Sequence, residues 1–234
     1  MRNFVFLLLC FVCNFCVQAQ NKIQADVTVQ QFISGKVFNI KKSVFFESNG
    51  RCVTRITYPE EIISINNALG EVVFYSPKNN QAWNEVGKDY SSKNEIFAIF
   101  SSNDRYDLGL SSLGFTLSQQ EKDSTRIVKT FIPKSENKEI SKIIMVSEND
   151  MPIYCGYFNK KEEENKKIYY QDYVSLPKFS FPKNITEITV TENNDTIIRR
   201  QLFDNIKYDN DATSSYFQFQ IPDSVTIVQG IKKE

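Results

Sequence analysis

The stretch KVFNIKKSVFFESNGRCVTRITY, residues 36–58, decides the fold class. It divides into two runs rich in β-branched and aromatic residues, Lys36–Glu47 and Arg51–Tyr58. Between them stand Ser48, Asn49 and Gly50, residue types that tolerate the positive φ of a tight turn. Two strands and a hairpin are the expected outcome. The same punctuation continues outward. Asp26–Ile33 on one side, and Glu61–Asn66, Glu71–Ser76 and Ala82–Val86 on the other, extend the hairpin into a meander.

Beyond a break, further strands are expected over Phe115–Gln119, Thr125–Ile132, Glu139–Ser147, Pro152–Asn159, Lys167–Val174, Thr186–Thr191, Thr196–Tyr208, Tyr216–Gln220 and Ser224–Val228. Asn193-Asn194-Asp195 marks a second hairpin turn. Turns recurring at intervals of roughly 10 residues argue for a sandwich or a curved, barrel-like sheet and against alternating βαβ units. Helix is confined to Ser91–Ser102, where Ile96, Phe97, Ile99 and Phe100 form one apolar side suited to lying on a sheet. The charge run Lys160–Lys167 reads as a solvated hairpin loop.

The chain opens with Arg2 and an apolar run from Phe4 to Val17, followed by Val17-Gln18-Ala19. That is the pattern of a secretory signal cleaved after Ala19, leaving residues 20–234 as a single exported domain. The apolar run is shorter than the roughly 20 residues that span a bilayer. Cys10, Cys13 and Cys16 fall within the signal; Cys52 and Cys155 remain, as a possible disulfide or as two separately buried thiols.

Composition excludes whole classes of chemistry. Twenty-eight basic and 28 acidic residues, interspersed, supply no basic field for nucleic acid. With no histidine, Ser-His-Asp and Cys-His arrangements and imidazole metal sites are ruled out. No CxxC spacing prepares a zinc site, so neither metal nor cofactor is expected. Gly109–Gly114 lacks the lysine and helix context of a phosphate loop and reads as a connection into the strand at Phe115. We expect no enzyme activity.

The positive feature is aromatic content: 19 Phe, 11 Tyr and one Trp. Along Tyr216–Ile221, strand alternation sends Phe217, Phe219 and Ile221 to one side and Tyr216, Gln218 and Gln220 to the other. Such apolar faces either close on one another as a dry core or leave a concave surface open for an acyl chain.

Ordered motifs carry a resemblance. Ile65–Pro77 (INNALGEVVFYSP), followed by Lys78–Trp83, resembles the turn and aromatic strand ending in Tyr-x-Pro of the LolA family of periplasmic lipoprotein carriers. Phe217–Val228 (FQFQIPDSVTIV) resembles that family's closing motif, and the hairpin at Asn193–Asp195 and the early strand Gly50–Pro59 fall in matching order. The resemblance implies an incomplete antiparallel β-barrel with short helices over its concave face. It implies a periplasmic carrier of acylated lipoproteins or lipids that works with inner- and outer-membrane sorting components; separately, a monomer is expected. It nominates Phe74, Trp83, Phe97, Phe100, Phe217 and Phe219 as cavity wall or lid. One departure stands out: the family opens its mature chain with an amphipathic helix, where Gln24–Ile33 here reads as strand. The other reading is a β-sandwich interaction or adhesion module of the cell envelope whose aromatics are core.

Overall fold

A computed structural model describes residues 21–102, 106–135 and 139–228. The signal-peptide reading, with Cys10, Cys13 and Cys16, lies outside the described residues. The strands are β1 (Lys22–Ile33), β2 (Lys36–Glu47), β3 (Cys52–Tyr58), β4 (Ile62–Asn66), β5 (Glu71–Ser76), β6 (Gln81–Val86), β7 (Phe115–Asp123), β8 (Arg126–Pro133), β9 (Ile140–Glu148), β10 (Met151–Asn159), β11 (Glu164–Ser175), β12 (Ser180–Val190), β13 (Thr196–Tyr208) and β14 (Thr226–Ile227), with helix α1 (Ile96–Ser101) between β6 and β7.

All of these strands lie in one sheet, in the order β14-β6-β5-β4-β3-β2-β1-β13-β12-β11-β10-β9-β8-β7. It consists of two meanders, β1–β6 and β7–β13, stitched together where β1 pairs antiparallel with β13 from Ile23↔Tyr208 to Phe32↔Ile198. This long seam makes one curved, unclosed sheet, and the two-sheet sandwich does not form. Turn chemistry follows the sequence. Ser48-Asn49-Gly50 closes β2 onto β3, with Gly50 at φ 91° and the Asn49 side chain accepting the Arg51 N–H at 2.8 Å. Ser34 and Gly35, both at positive φ, make the two-residue turn between β1 and β2.

The two faces differ. Val44, Phe46 and Cys52 join Val27, Phe203, Phe181, Tyr170, Cys155, Met145 and Phe131 in one buried cluster. Strands as far apart as β3 and β8 meet in it, so this face is concave. Phe45, Val53, Ile63, Tyr75 and Ala82 point the other way and form a second cluster on the convex face.

The convex cluster is covered by the chain's last described segment, and here the sequence expectation needs correcting. Tyr216–Gln220 is not a strand; Ser215–Gln218 is a 3₁₀ turn, opened by the Ser214 hydroxyl accepting the Tyr216 N–H. A period of three puts Tyr216 and Phe219 on one side, their rings stacked at 5.6 Å, while Phe217 is buried edge-on against Phe45 at 5.7 Å. Arg51 fastens the turn, donating Nε to the Phe217 carbonyl at 3.1 Å and Nη2 to the Phe219 carbonyl at 2.5 Å. The segment then ends as β14, which pairs parallel with β6 and shields that edge of the sheet. At the opposite edge, β7 carries Glu121, Lys122 and Asp123 and a register shift at Leu117/Gln119. Charges and a bulge of this kind discourage strand addition.

Candidate functional site

The concave face is roofed by the connection from β6 to β7. Its first part, Gly87–Asn94, is pinned to the turns at one end of the sheet. The buried Ser92 hydroxyl donates to the Gly50 carbonyl at 2.6 Å, the Ser91 hydroxyl donates to the Ala68 carbonyl at 2.9 Å, and the Asn66 amide donates to the Tyr90 carbonyl at 2.9 Å. Ser91 and Glu95 adopt extended backbone, which divides the helix expected over Ser91–Ser102 into a 3₁₀ turn, Ser92–Asn94, and the six residues of α1. A helix this short has no stability of its own. Packing holds it.

That packing is aromatic. Phe97 and Phe100, each 1% exposed, project from one side of α1 into the sheet. Phe97 stacks on Phe181 at 4.7 Å and meets Phe203 edge-on at 5.7 Å; Phe100 meets Phe181 at 5.6 Å, Tyr170 at 5.9 Å and Tyr173 at 6.4 Å. These six rings plug the centre of the concave face. Two of them, Phe97 and Phe100, were anticipated. Phe181 was missed because Pro182, which a central strand normally excludes, hid the first half of β12. Phe203 and the two tyrosines lie on expected strands, but alternation alone does not say which side of a strand faces a roof.

The other nominated residues lie elsewhere. Phe74 and Trp83 are cross-strand neighbours stacked at 5.3 Å on the concave side of the β5–β6 arm, half-buried under Tyr90. Phe217 and Phe219 belong to the convex cluster. The six candidates therefore form three groups, and only Phe97 and Phe100 sit under the roof.

Among the described residues, cavities lie on the outer and inner sides of α1. On its outer side, Ala98, Ile99 and Ser102 face Leu108, Gly109, Ser112 and Leu113 across a mostly apolar cleft of about 500 Å³ that is open to solvent. The far wall is the Gly109–Gly114 connection, a turn held by the Asp107 carboxylate accepting the Gly109 and Ser111 N–H groups at 2.9 and 3.2 Å. Leu108 and Leu110 anchor it in the concave core. On the inner side, a polar cavity of about 400 Å³ lies between Asp89, Glu95 and Phe97 above and Val27, Lys42, Val44, Arg199, Gln201 and Phe203 below. Ile99 was expected on the sheet-facing side with Phe97 and Phe100, but α1 sets it at the outer cleft, and nothing in the sequence marked Leu113 as a lining residue.

Cys52 and Cys155 are free thiols, which corrects the disulfide alternative. They sit on β3 and β10, six strand steps apart in the sheet, each buried in the concave core. Burial drives the Cys52 thiol far above its ordinary range, with the charge of Glu95 adding to the shift, and pushes Cys155 up to about 12. Neither is a nucleophile in the fold.

No family model matches the sequence, and no curated protein matches it. Solved structures do resemble the fold. A LolA superfamily protein from Nitrosomonas europaea superposes with a TM-score of 0.53 at 10% identity, over 80% of this chain and 85% of that one. The fold is LolA-like. A domain of an outer-membrane lipoprotein-sorting protein from Vibrio parahaemolyticus gives 0.53 at 11% identity over 81% and 86% of the two chains. A DUF1329 family protein from Desulfovibrio piger gives 0.55 at 13% identity over 84% and 89%. Gln24–Ile33, which the resemblance set against the family's opening helix, is strand, within β1.

Proposed function

We propose that this protein is a periplasmic carrier that takes up acyl chains of lipoproteins or other lipids beside α1 and delivers them toward the outer membrane. The observation that carries this reading is the apolar cleft of about 500 Å³ between α1 and residues 108–113, on the open concave side of a LolA-like sheet. Its size falls within the roughly 300–1,000 Å³ of small-molecule sites. Ile99 and Leu113, the latter well exposed, offer apolar surface to a chain each of whose CH₂ groups gains about 0.8 kcal/mol on burial. The chemistry required is burial alone, and a protein without histidine and with buried, protonated thiols is suited to it. The lipoprotein-sorting neighbour supports the choice of cargo and of the outer membrane as destination.

Native mass spectrometry of the mature chain purified from periplasm, combined with lipid extraction, tests this. Co-purifying acylated species are expected, with uptake of a fluorescent fatty acid lost in Ile99→Glu and Leu113→Glu proteins whose circular dichroism is unchanged. A ligand-free mass together with no uptake by the unaltered protein overturns the reading.

A further inference from the structure

We propose that the tip formed by β1, β2 and β13 docks end-on to an anionic lipid surface. The chain as a whole balances 28 basic against 28 acidic residues, but at this tip five cations stand beside two acids, Glu192 and Asp195 of the neighbouring β12–β13 turn. Residues 27–42 and 196–201 contain Lys36, Lys41, Lys42, Arg199 and Arg200 and no acid. The antiparallel registers bring these segments together: Gln31 lies opposite both Phe38 and Arg199, and Phe32 opposite both Val37 and Ile198. Among the described residues no carboxylate lies within 4 Å of any of the five cations: Glu187, opposite Arg199 in the register, turns to Lys166, and Asp89 and Glu95 face Lys42 and Arg199 only across the inner cavity.

The same tip exposes large apolar side chains. Residues 34–39 are all exposed, and Phe32, Val37 and Phe38 are 40%, 51% and 52% accessible. The tight turn at Ser34-Gly35 makes the end narrow. Strand alternation puts Phe38 with Lys36, Lys42 and Arg199 on the concave side, and Phe32 and Val37 with Lys41 and Arg200 on the convex side. Aromatic and cationic residues thus surround the tip on both faces. A protein partner fits one face; a membrane interface, which surrounds whatever enters it, suits both. Rings reach the acyl boundary while lysines and arginines stay among phosphates. The concave cations Lys42 and Arg199 also line the inner cavity, so docking sets that cavity beside the bilayer. The inference holds whatever the cavity carries.

Co-sedimentation of the ligand-free mature chain with phosphatidylcholine vesicles, with and without phosphatidylglycerol, tests it. Binding is expected to the anionic vesicles only and to weaken with salt. Each cation near the surface is worth roughly fivefold in partitioning, so Lys41→Gln with Arg200→Gln, both exposed and outside the cavity, should lower it by roughly 25-fold. In a Trp83→Phe background, Phe38→Trp should show a blue-shifted emission on anionic vesicles. No sedimentation, sedimentation unchanged by the double substitution, or an unshifted emission each overturns the proposal. So does binding of the tip to an acidic polypeptide without binding to vesicles.

Discussion

Replacing Phe97 by alanine separates the two faces of α1. Phe97 is 1% exposed, stacked on Phe181 at 4.7 Å and edge-on to Phe203 at 5.7 Å. Truncating a buried Phe to Ala costs about 3–5 kcal/mol, most of it as cavity, and this site collapses little because four of the five remaining rings are fixed to β11, β12 and β13. For a chain of this size, about 1 kcal/mol shifts Tm by roughly 2–4 °C, so a fall of about 6–20 °C is expected. Ile99 stands two positions away on the same helix, partly buried and lining the outer cleft. Ile99→Ala should cost about 1–2 kcal/mol and act chiefly on fatty-acid uptake. Urea unfolding of both variants, read beside the uptake assay, checks the pair. A Phe97→Ala cost below about 1 kcal/mol, or equal costs for the two variants, would refute the claim that one side of α1 is core and the other faces ligand.

Arg51→Ala removes two charge-assisted hydrogen bonds to the carbonyls of Phe217 and Phe219. At about 1.5–3 kcal/mol each, their loss should speed amide exchange at Thr226 and Val228 at least tenfold and leave β9–β12 unchanged; hydrogen-exchange mass spectrometry of the C-terminal peptide measures it. Iodoacetamide should leave Cys52 and Cys155 unmodified in the native protein and label both in urea without reductant; native labelling would contradict their burial. Because folding raises the Cys155 pKa, the unfolded chain gives up that proton first. Stability should therefore fall as pH rises from the ordinary 9.0 toward about 12, by up to about 1.4 kcal/mol per pH unit, and Cys155→Ala should flatten that slope. Gly70→Ala places a Cβ 2.3 Å from the Gly87 carbonyl oxygen at φ +85°, and should cost at least about 1 kcal/mol in urea unfolding.

Much of the sheet was legible in the sequence because its turns use residues with few alternatives. Lys36–Glu47, Glu71–Ser76 and Thr196–Tyr208 have the expected bounds, each set off by Gly, Pro, Asn or Asp turns. β1 and β12 extend beyond their expected starts for different reasons. Lys22–Ala25 lacks a turn signal before it, and Pro182 masks Ser180–Ile185, although that proline is fully buried. Pairing of β1 with β13, which makes the molecule one sheet, joins residues more than 160 positions apart in sequence and leaves no local mark.

The site was less legible because strand alternation sorts residues onto two sides without saying what covers each. Phe74 and Phe97 both read as apolar positions near a roof, yet one lies on an arm beneath Tyr90 and the other fills the centre. The C-terminal segment shows the physical limit. In Tyr216–Ile221 a period of two would group Phe217 with Phe219, while the observed period of three groups Tyr216 with Phe219. The residues are compatible with both. What selects the turn is Arg51, whose guanidinium takes two carbonyls that a ladder strand would have used for its neighbour. With those carbonyls turned toward Arg51, the segment packs on the convex cluster and reaches β6 only at Thr226 and Ile227. Phe217 and Phe219 are thereby committed to the face opposite α1, so substitutions there should loosen the C-terminal segment without altering acyl uptake, whereas Ile99 and Leu113 should do the reverse.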